Sequence, residues 1–462
     1  MVTGAVCVDM PTFASRIQQL GRPNLRIGIL SDIHIGKETT DVFQHTLEYF
    51  RDKEVDGVLM AGDLADHGLE RELQQVADTW YRVFPKDKAP DGRHVEKIFV
   101  YGNHDIEGCN WSSDHYGMSE EEWTRQAIGL HPAESWKRCF REKYQPIHMK
   151  TIKGYHFVGA HWVGKNVPGL DAFLDEHAQE LRGEKPFFYY QHQHPRGTCM
   201  GPWVWGQDDG SVTAQLSQWP NCIAFSGHSH MPLGDDRDLW QGEFTSIGTS
   251  SLCYICLFGA RENSSVDGSN ERVPSQMKNI NFNDAGKQGM LMQVYDDCIA
   301  IERLEFLGDK HVADNWLIPL PFNPQEAMTF ERRSLTEPVP EFAAADRVTL
   351  TRAVGKDRYD VEQKQVTVHF PSVLKSRQGV RAFDYEVQVE VRFVDVLSVT
   401  GTKRVFSNGC FLSEDKDAAE VTCVYGEGEL PANREIRFVV RPCNCYGIKG
   451  KPIYSEWVPA RT

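Results

Sequence analysis

The stretch Leu25-Arg26-Ile27-Gly28-Ile29-Leu30-Ser31-Asp32-Ile33-His34 decides the fold, because a short apolar run ends directly at polar side chains. A run of that length and composition predicts a buried strand. Four more apolar runs end in the same way, at Gly62-Asp63, Gly102-Asn103-His104-Asp105, Gln191-His192-Gln193-His194 and Gly227-His228-Ser229-His230. Polar residues that follow parallel strands meet at one edge of a sheet, where open α/β folds bind ligands. We therefore expect the five motifs to form a single site.

Helical patterns separate these predicted strands. Apolar residues recur at helical spacing first at Val42, Phe43, Leu47 and Phe50, and again at Leu73, Val76, Trp80 and Val83. Alternation of strands and helices predicts parallel pairing with right-handed crossovers. Strand-like runs after Gly227 indicate a second sheet packed on the first. The first part of the chain should therefore be a layered α/β sandwich.

The end of the chain has a different pattern. Prolines at positions 319, 321, 324, 338 and 340 indicate a linker. Beyond it, apolar and polar residues alternate and predict an all-β sandwich. We expect an N-terminal extension (1–24), an α/β domain (25–321), a linker (322–346) and a β-sandwich domain (347–462). Within the last domain, Arg437-Phe438-Val439-Val440-Arg441-Pro442 and Ser455-Glu456-Trp457 resemble the last strands of a fibronectin type III-like module.

Composition and charge narrow the class of protein and its partners. At 462 residues the chain is long for one core, and 40% hydrophobic with 25% charged residues is typical of a globular protein. The net charge of -15 disfavours long polyanions, so we expect no nucleic-acid partner. No apolar stretch is long enough for a membrane span, and the first 24 residues lack a signal-peptide pattern. We expect a cytoplasmic protein, with a leader removed before residue 1 left open.

Cysteine usage points to reduced thiols. The 12 cysteines are too sparse for a disulfide-stapled fold. Cys253-x-x-Cys256 lies in an apolar, strand-like run, and no second pair with zinc-ribbon spacing is present. We interpret these residues as small core hydrophobes rather than as a zinc site.

The polar residues of the five motifs are suited to binding two metal ions. The candidate ligands are Asp32, His34, Asp63, Asn103, His192 or His194, His228 and His230. A mixture of imidazole, carboxylate and amide favours transition metals such as Mn, Fe or Zn over Ca. Two ions about 3.5–4 Å apart can hold both the attacking and the leaving oxygen of a phosphoryl displacement. The sequence therefore predicts a phosphate-ester hydrolase with a small anionic substrate.

Together the motifs resemble the calcineurin-like metallophosphoesterase superfamily, over about residues 25–306. The resemblance implies a four-layer αββα sandwich with the site at the top of two central sheets. It implies that one metal is held by Asp32, His34 and His230, the other by Asn103, His228 and a histidine of the fourth motif, and that Asp63 bridges them. It also implies a metal-bridging hydroxide as nucleophile and His104 as proton donor, with Asp105 orienting the His104 ring. Asp66 and His67 are candidate supporting groups or helix-entry residues.

The fourth motif departs from the family pattern, which commonly has His, one residue and then Pro. Here the stretch is Gln191-His192-Gln193-His194-Pro195, so two registers are open. We prefer His192 as the ligand because it is nearest the end of the strand. His194 would then lie beside the substrate.

The substrate class stays open between phosphomonoesters and phosphodiesters. A pyrophosphohydrolase or a cyclic-nucleotide diesterase would use the same metals, and irregular segments such as residues 109–122 and 260–288 could line the site. A non-catalytic scaffold is the alternative from another class. Scaffolds of this family are expected to lose metal ligands, whereas every ligand position is filled here, which favours an enzyme.

Overall fold

The computed structural model describes residues 21–36, 39–201, 204–255, 286–357, 359–393, 396–410, 412–416 and 418–461. Its strands are β1 (Leu25–Leu30), β2 (Gly57–Ala61), β3 (Glu96–Val100), β4 (Ile147–Ile152), β5 (Tyr155–Ala160), β6 (Phe187–Tyr190), β7 (Cys222–Ser226), β8 (Leu239–Gln241), β9 (Thr245–Gly248), β10 (Gln288–Val294), β11 (Cys298–Glu305), β12 (Lys310–His311), β13 (Trp316–Pro319), β14 (Thr349–Lys356), β15 (Glu362–Pro371), β16 (Asp384–Phe393), β17 (Val396–Phe406), β18 (Glu420–Gly426), β19 (Glu435–Cys443), β20 (Ile453–Tyr454) and β21 (Val458–Pro459). The α-helices are Thr39–Asp52, Glu70–Val83, Asn103–Glu107, Glu120–Gln126, Pro132–Phe140, Leu170–Glu176, Ala178–Leu181, Ser211–Leu216, Phe330–Thr336 and Lys375–Gln378.

The first sheet brings three of the motifs to the same edge. Its order is β12-β11-β10-β1-β2-β3, and β13 also pairs with β11. Strands β1, β2 and β3 are parallel, with Leu30 opposite Met60 and Ala61 opposite Val100. Because these strands end almost level, the residues that follow them are neighbours in space.

The second sheet brings the other two motifs to the same region. Its order is β4-β5-β6-β7-β9-β8, and β6 and β7 are parallel, with Tyr190 opposite Phe225. The two sheets pack face to face through buried residues such as Ile29, Phe225 and Met290. Their motif-bearing edges lie side by side, since Nδ1 of His192 after β6 is 2.8 Å from the carbonyl oxygen of Ala61 at the end of β2.

Helices cover the outer face of each sheet. Phe43 and Trp80, from Thr39–Asp52 and Glu70–Val83, are buried against the first sheet. Leu174 and Leu216, from Leu170–Glu176 and Ser211–Leu216, are buried against the second. The apolar stripes predicted from the sequence are these inward faces. The expected four-layer αββα arrangement is confirmed.

The C-terminal region is all-β, as predicted. One sheet has the order β14-β15-β18 and the other β17-β16-β19-β20, with β21 on β19. Residues such as Val368, Tyr385 and Phe438 form the core between them. Among the described residues, no helix is both long and apolar enough to cross a membrane.

The two domains are in direct contact. Glu305, at the end of β11, is fully buried and accepts a hydrogen bond from the backbone N–H of Ser413 at 2.9 Å. Lys416 forms an ion pair with the same carboxylate. The segment predicted as a linker also packs, because Arg333 is buried and donates to the backbone carbonyl oxygens of residues 236 and 239. The β-sandwich domain is therefore held against the α/β domain.

Candidate metal centre

The seven predicted ligands follow the carboxyl ends of β1, β2, β3, β6 and β7, and most of them have an unusual backbone. A positive φ is found at Asp32 (50°), His34 (43°), Asp63 (52°), His228 (71°) and His230 (54°). For residues with a side chain, this conformation costs on the order of 1–2 kcal/mol each. Such strain is held only where the surrounding structure imposes it, and it concentrates at functional sites.

Two glycines allow the loops of the two sheets to touch. Gly62 has a φ of 91°, and a Cβ there would lie 2.5 Å from Nδ1 of His192. A Cβ at Gly102 would lie 2.1 Å from Oδ1 of Asp63. These distances are far below van der Waals contact, so any side chain at either position would push the motif residues apart.

One cluster of possible metal ligands contains Asp32, His34 and His230. The Nδ1 atom of His34 donates to Oδ1 of Asp66 at 3.1 Å, and that of His230 donates to the carbonyl oxygen of Tyr254 at 3.0 Å. Because those oxygens only accept, the Nε2 atom of each neutral ring holds a lone pair. The two Nε2 atoms lie 3.4 Å apart, and that of His230 lies 2.9 Å from Oδ1 of Asp32. Such a convergence of acceptors is suited to a cation.

A second cluster contains Asp63, His192 and His228. Nδ1 of His192 donates to the carbonyl oxygen of Ala61 at 2.8 Å, which leaves Nε2 to face the site. That Nε2 atom lies 3.0 Å from Oδ2 of Asp63 but is not in a hydrogen-bonding geometry. Oδ1 of Asn103 is also buried without a hydrogen-bond partner. An unsatisfied buried oxygen costs about 1–3 kcal/mol, so a ligand to this amide would remove a real penalty.

The Asp63 carboxylate lies between the two clusters. Its Oδ2 atom is 3.0 Å from Nε2 of His192 and 3.7 Å from Nε2 of His34. Its Oδ1 atom accepts a hydrogen bond from the backbone N–H of His104 at 2.9 Å. One oxygen within reach of both clusters is the arrangement that a bridging ligand requires.

The ring of His104 is oriented by Asp66, not by its neighbour Asp105. Nδ1 of His104 donates to the backbone carbonyl oxygen of Asp66 at 2.8 Å and lies 3.6 Å from the carboxylate of the same residue. Asp105 instead accepts from the backbone N–H groups of Leu64, Ala65 and Gly102, at 3.2, 2.7 and 2.7 Å. The expected contact between Asp105 and the ring is therefore absent. Asp105 ties the loop after β2 to the loop after β3.

A family model described as calcineurin-like phosphoesterase matches residues 25–232, which include all five motifs. This part of the chain is a calcineurin-like phosphoesterase domain. The domain is that of a metal-dependent hydrolase acting on phosphate esters, and the family depends on two metal ions. The two histidine–aspartate clusters agree with this requirement.

Several solved structures are distantly similar to the chain. A dimetal phosphatase from Danio rerio is 11% identical, with 65% of this chain and 100% of that chain covered and a TM-score of 0.38. A purple acid phosphatase from yellow lupin (Lupinus luteus) seeds is 13% identical, with 64% and 55% covered and a TM-score of 0.39. GAP50, the anchor in the inner membrane complex of Plasmodium, is 10% identical, with 65% and 89% covered and a TM-score of 0.37. No curated protein matches the sequence.

Electrostatics in the phosphoesterase domain favour positive charge between its carboxylates. Burial raises the pKa of Asp32 and Asp63, but the surrounding imidazoles outweigh it and hold both pKa values below their usual range. Burial lowers the pKa of His192, yet the charges of Asp63 and Asp32 raise it to about 9. These carboxylates therefore stabilise a cation at Nε2 of His192, whether that cation is a proton or a metal ion.

The pKa values of His104 and His228 are shifted in opposite directions. Burial lowers the pKa of His104, but its hydrogen bonds to Asp66 and the charge of Asp63 raise it to about 9. Burial, assisted by the charge of His192, lowers the pKa of His228 to about 3. At neutral pH the ring of His104 is therefore protonated on both nitrogens, whereas the ring of His228 is neutral and has one nitrogen with a lone pair.

His194 lies beneath the phosphoesterase site and not beside an open substrate position. Its side chain is buried, and its Nδ1 and Nε2 atoms are hydrogen-bonded to the hydroxyl groups of Ser226 and Ser229. Burial lowers its pKa to about 4. With both ring nitrogens occupied, His194 has no free lone pair for a metal. The geometry therefore favours His192 as the ligand.

The structure also places the segments that the sequence left open. Of residues 109–122, Trp111 packs edge-on against the ring of His104, with 4.5 Å between ring centroids. Cys256 and most of residues 260–288 lie outside the described residues. Asp66 is the functional candidate that the sequence signalled most weakly, although it follows Asp63 by only three positions.

Proposed function

We propose that this domain hydrolyses phosphomonoesters or phosphodiesters at a two-metal centre. Its first ion would be held by Asp32, His34 and His230, its second by Asn103, His192 and His228, and Asp63 would bridge the two. The observation that carries the proposal concerns the rings of His34, His192 and His230. In each ring Nδ1 is hydrogen-bonded to an oxygen, and Nε2 is directed into the site. Tautomers held in this way present lone pairs to the two proposed ions, those of His34 and His230 to the first and that of His192 to the second.

The donor set agrees with the metals expected from the sequence. Imidazole nitrogens with carboxylate and amide oxygens suit Mn, Fe or Zn and disfavour Ca, which prefers oxygen alone. When bound, such ions supply positive charge to phosphoryl oxygens and make a water molecule acidic enough to act as a nucleophile near neutral pH. The two carboxylates, Asp32 and Asp63, do not cancel the charge of two dications. A small phosphate anion is therefore attracted despite the net charge of -15.

His104 is suited to protonate the leaving oxygen. Its Nε2 atom lies 4.0 Å from Oδ2 of Asp63, at the side of the proposed bridge. Asp66 acts as a positioning residue, because holding Nδ1–H leaves Nε2 to carry the second proton toward substrate. Asp105 supports the same geometry indirectly by holding the loops that carry Asp63 and His104.

Metal content and hydrolysis test the proposal together. Purified protein loaded with Mn²⁺ or Zn²⁺ should carry two ions per chain by elemental analysis. It should hydrolyse 4-nitrophenyl phosphate or bis(4-nitrophenyl) phosphate, and chelation should abolish turnover. A protein that binds two ions but hydrolyses no phosphate ester would contradict the proposal, as would undiminished activity in Asp63→Ala.

The Asp66→Asn variant tests how the proton donor is held. The Asp66 carboxylate lies 3.6 Å from Nδ1 of His104 and also accepts from Nδ1 of His34, a proposed metal ligand. Supporting groups of this kind typically contribute 10–100-fold, so we expect kcat at saturating metal to fall by about that factor and the affinity for the first metal to fall as well. Asp78→Asn, an exposed carboxylate on the helix Glu70–Val83, is the matched control and should behave as wild type. Equal kcat values in the two variants would remove Asp66 from the reaction.

A further inference from the structure

Two half-exposed tryptophans stand beside the proposed metal centre. Trp111 is 50% exposed and Trp205 is 42% exposed. Among the described residues, these are the only tryptophans in the exposed class. Large aromatic side chains are usually mostly buried, so exposed ones that cluster at one site indicate a binding surface.

Each exposed tryptophan contacts a histidine of the site. The ring of Trp111 lies 4.5 Å from that of His104, and the ring of Trp205 lies 5.1 Å from that of His228. A third, half-buried tryptophan, Trp162, lies 5.8 Å from His228. Aromatic surface therefore flanks both the proton donor and a proposed ligand of the second metal.

Backbone and side-chain hydrogen bonds hold these tryptophan-bearing segments in place. The backbone N–H of Trp111 donates to the carbonyl oxygen of Gly108 at 3.1 Å, and Nε1 of Trp162 donates to Glu107 at 2.7 Å. The carbonyl oxygen of Gly206, next to Trp205, accepts from the backbone N–H of residue 194 at 3.1 Å. Aromatic surface that is already in position binds a flat partner at low entropic cost.

The side chains that face the carboxylates of the site are themselves aromatic. Among the described residues, Asp32, Asp63 and Asp66 lie within 4.0 Å of histidine nitrogens and form no ion pair with lysine or arginine. The phosphate would be bound by the metals, while the organic part of the substrate would meet tryptophan. Flat rings stack well on such surfaces.

We propose, as an extension of the proposed phosphoesterase function, that the leaving group of the substrate carries a flat aromatic ring. The ring stacks on Trp111, because that side chain lies beside the group that protonates the leaving oxygen. A nucleoside and an aryl alcohol both have this chemistry. Trp205 and Trp162, which lie against His228, extend the aromatic surface on the side of the second metal.

Paired substrates that differ only in the ring test this inference. AMP is compared with ribose 5-phosphate, and 2-phenylethyl phosphate with ethyl phosphate, by kcat/KM and by calorimetric binding to the metal-loaded protein, because the leaving alcohols within each pair have similar pKa values. Base–aromatic stacking corresponds to roughly 5- to 150-fold in binding, so a preference of about tenfold for the ring-bearing member is expected. A preference in the first pair alone identifies a nucleoside, and one in the second pair alone identifies an aryl alcohol.

Tryptophan variants locate the effect. Trp111→Ala should reduce the ring preference by about tenfold, and Trp111→Phe should restore most of it. Trp457→Ala, a half-buried tryptophan of the β-sandwich domain, is the control and should keep the wild-type ratio. Equal binding of ring-bearing and ringless members, or an unchanged preference in Trp111→Ala, would overturn the inference. Loss of hydrolysis for every ester would instead refute the proposed function, while the binding ratios would still test the subsite.

Discussion

Replacing His192 with asparagine should empty one metal position, whereas the same change at His194 should leave both metals bound. Nε2 of His192 lies 3.0 Å from Oδ2 of Asp63, while both ring nitrogens of His194 are hydrogen-bonded to Ser226 and Ser229. The two substitutions remove the same atoms from positions two residues apart. Each variant is therefore the matched control of the other.

The two variants should lose different properties, metal affinity in His192→Asn and folding stability in His194→Asn. Groups that merely support a ligand change metal affinity by 10–100-fold, so removal of a ligand should cost at least about 100-fold, or about 2.7 kcal/mol. His194→Asn loses two hydrogen bonds with buried hydroxyl groups, one donated by the ring and one accepted by it. At about 1 kcal/mol for each bond, with a further penalty for a hydroxyl left unsatisfied, the free energy of unfolding should fall by about 2–4 kcal/mol. One variant should lose metal, and the other should lose stability.

Three measurements separate these outcomes. Elemental analysis after dialysis should find two ions per chain in wild type and His194→Asn, and fewer than two in His192→Asn. Hydrolysis of bis(4-nitrophenyl) phosphate should fall by at least about 100-fold in His192→Asn. Thermal melting of the metal-free proteins should show the larger decrease in Tm for His194→Asn. The reverse pattern, with metal lost from His194→Asn and kept in His192→Asn, would refute the assignment of the second metal site.

Two further predictions concern the rest of the chain. Burial holds the pKa of His161 well below its usual value, and its Nδ1 atom accepts from the backbone N–H of Tyr101 at 3.0 Å. Below about pH 6.5 the unfolded state binds a proton at this ring and the folded state does not. The free energy of unfolding should therefore fall with decreasing pH, by at most about 1.4 kcal/mol per pH unit. Between pH 7 and pH 5, Tm should fall less in His161→Asn than in wild type. An equal decrease in Tm between pH 7 and pH 5 in wild type and in His161→Asn would contradict this prediction. At the domain interface, Lys416→Met leaves the buried Glu305 without its ion-pair partner and should lower the unfolding free energy by about 1–3 kcal/mol by thermal melting. Lys451→Met, at a lysine whose side chain is 84% exposed, is the control, and equal Tm values would show that the interfacial pair contributes nothing.

Local sequence patterns were sufficient for the layers of the fold and for most of the site. Each apolar run that ends in a polar motif became a buried strand, as with β1 before Asp32 and β7 before His228. The helical stripes became the outer layers. These features could be predicted because hydrophobic periodicity is set by residues close together in the sequence and does not depend on how distant segments pack. The domain boundaries and the ligand roles stay predictions until they are tested.

The sequence by itself determined which chemical groups are present and at which strand ends they lie. The sequence already favoured His192 over His194 by its position at the strand end, but only the tertiary structure shows that both ring nitrogens of His194 are hydrogen-bonded to serine hydroxyl groups. The contact of His192 with the strand end before Gly62 distinguishes them. The same holds for Asp66, which orients His104 across 38 positions of the chain. Hydrogen bonds between distant segments depend on how the two sheets pack, and packing is a property of the whole chain.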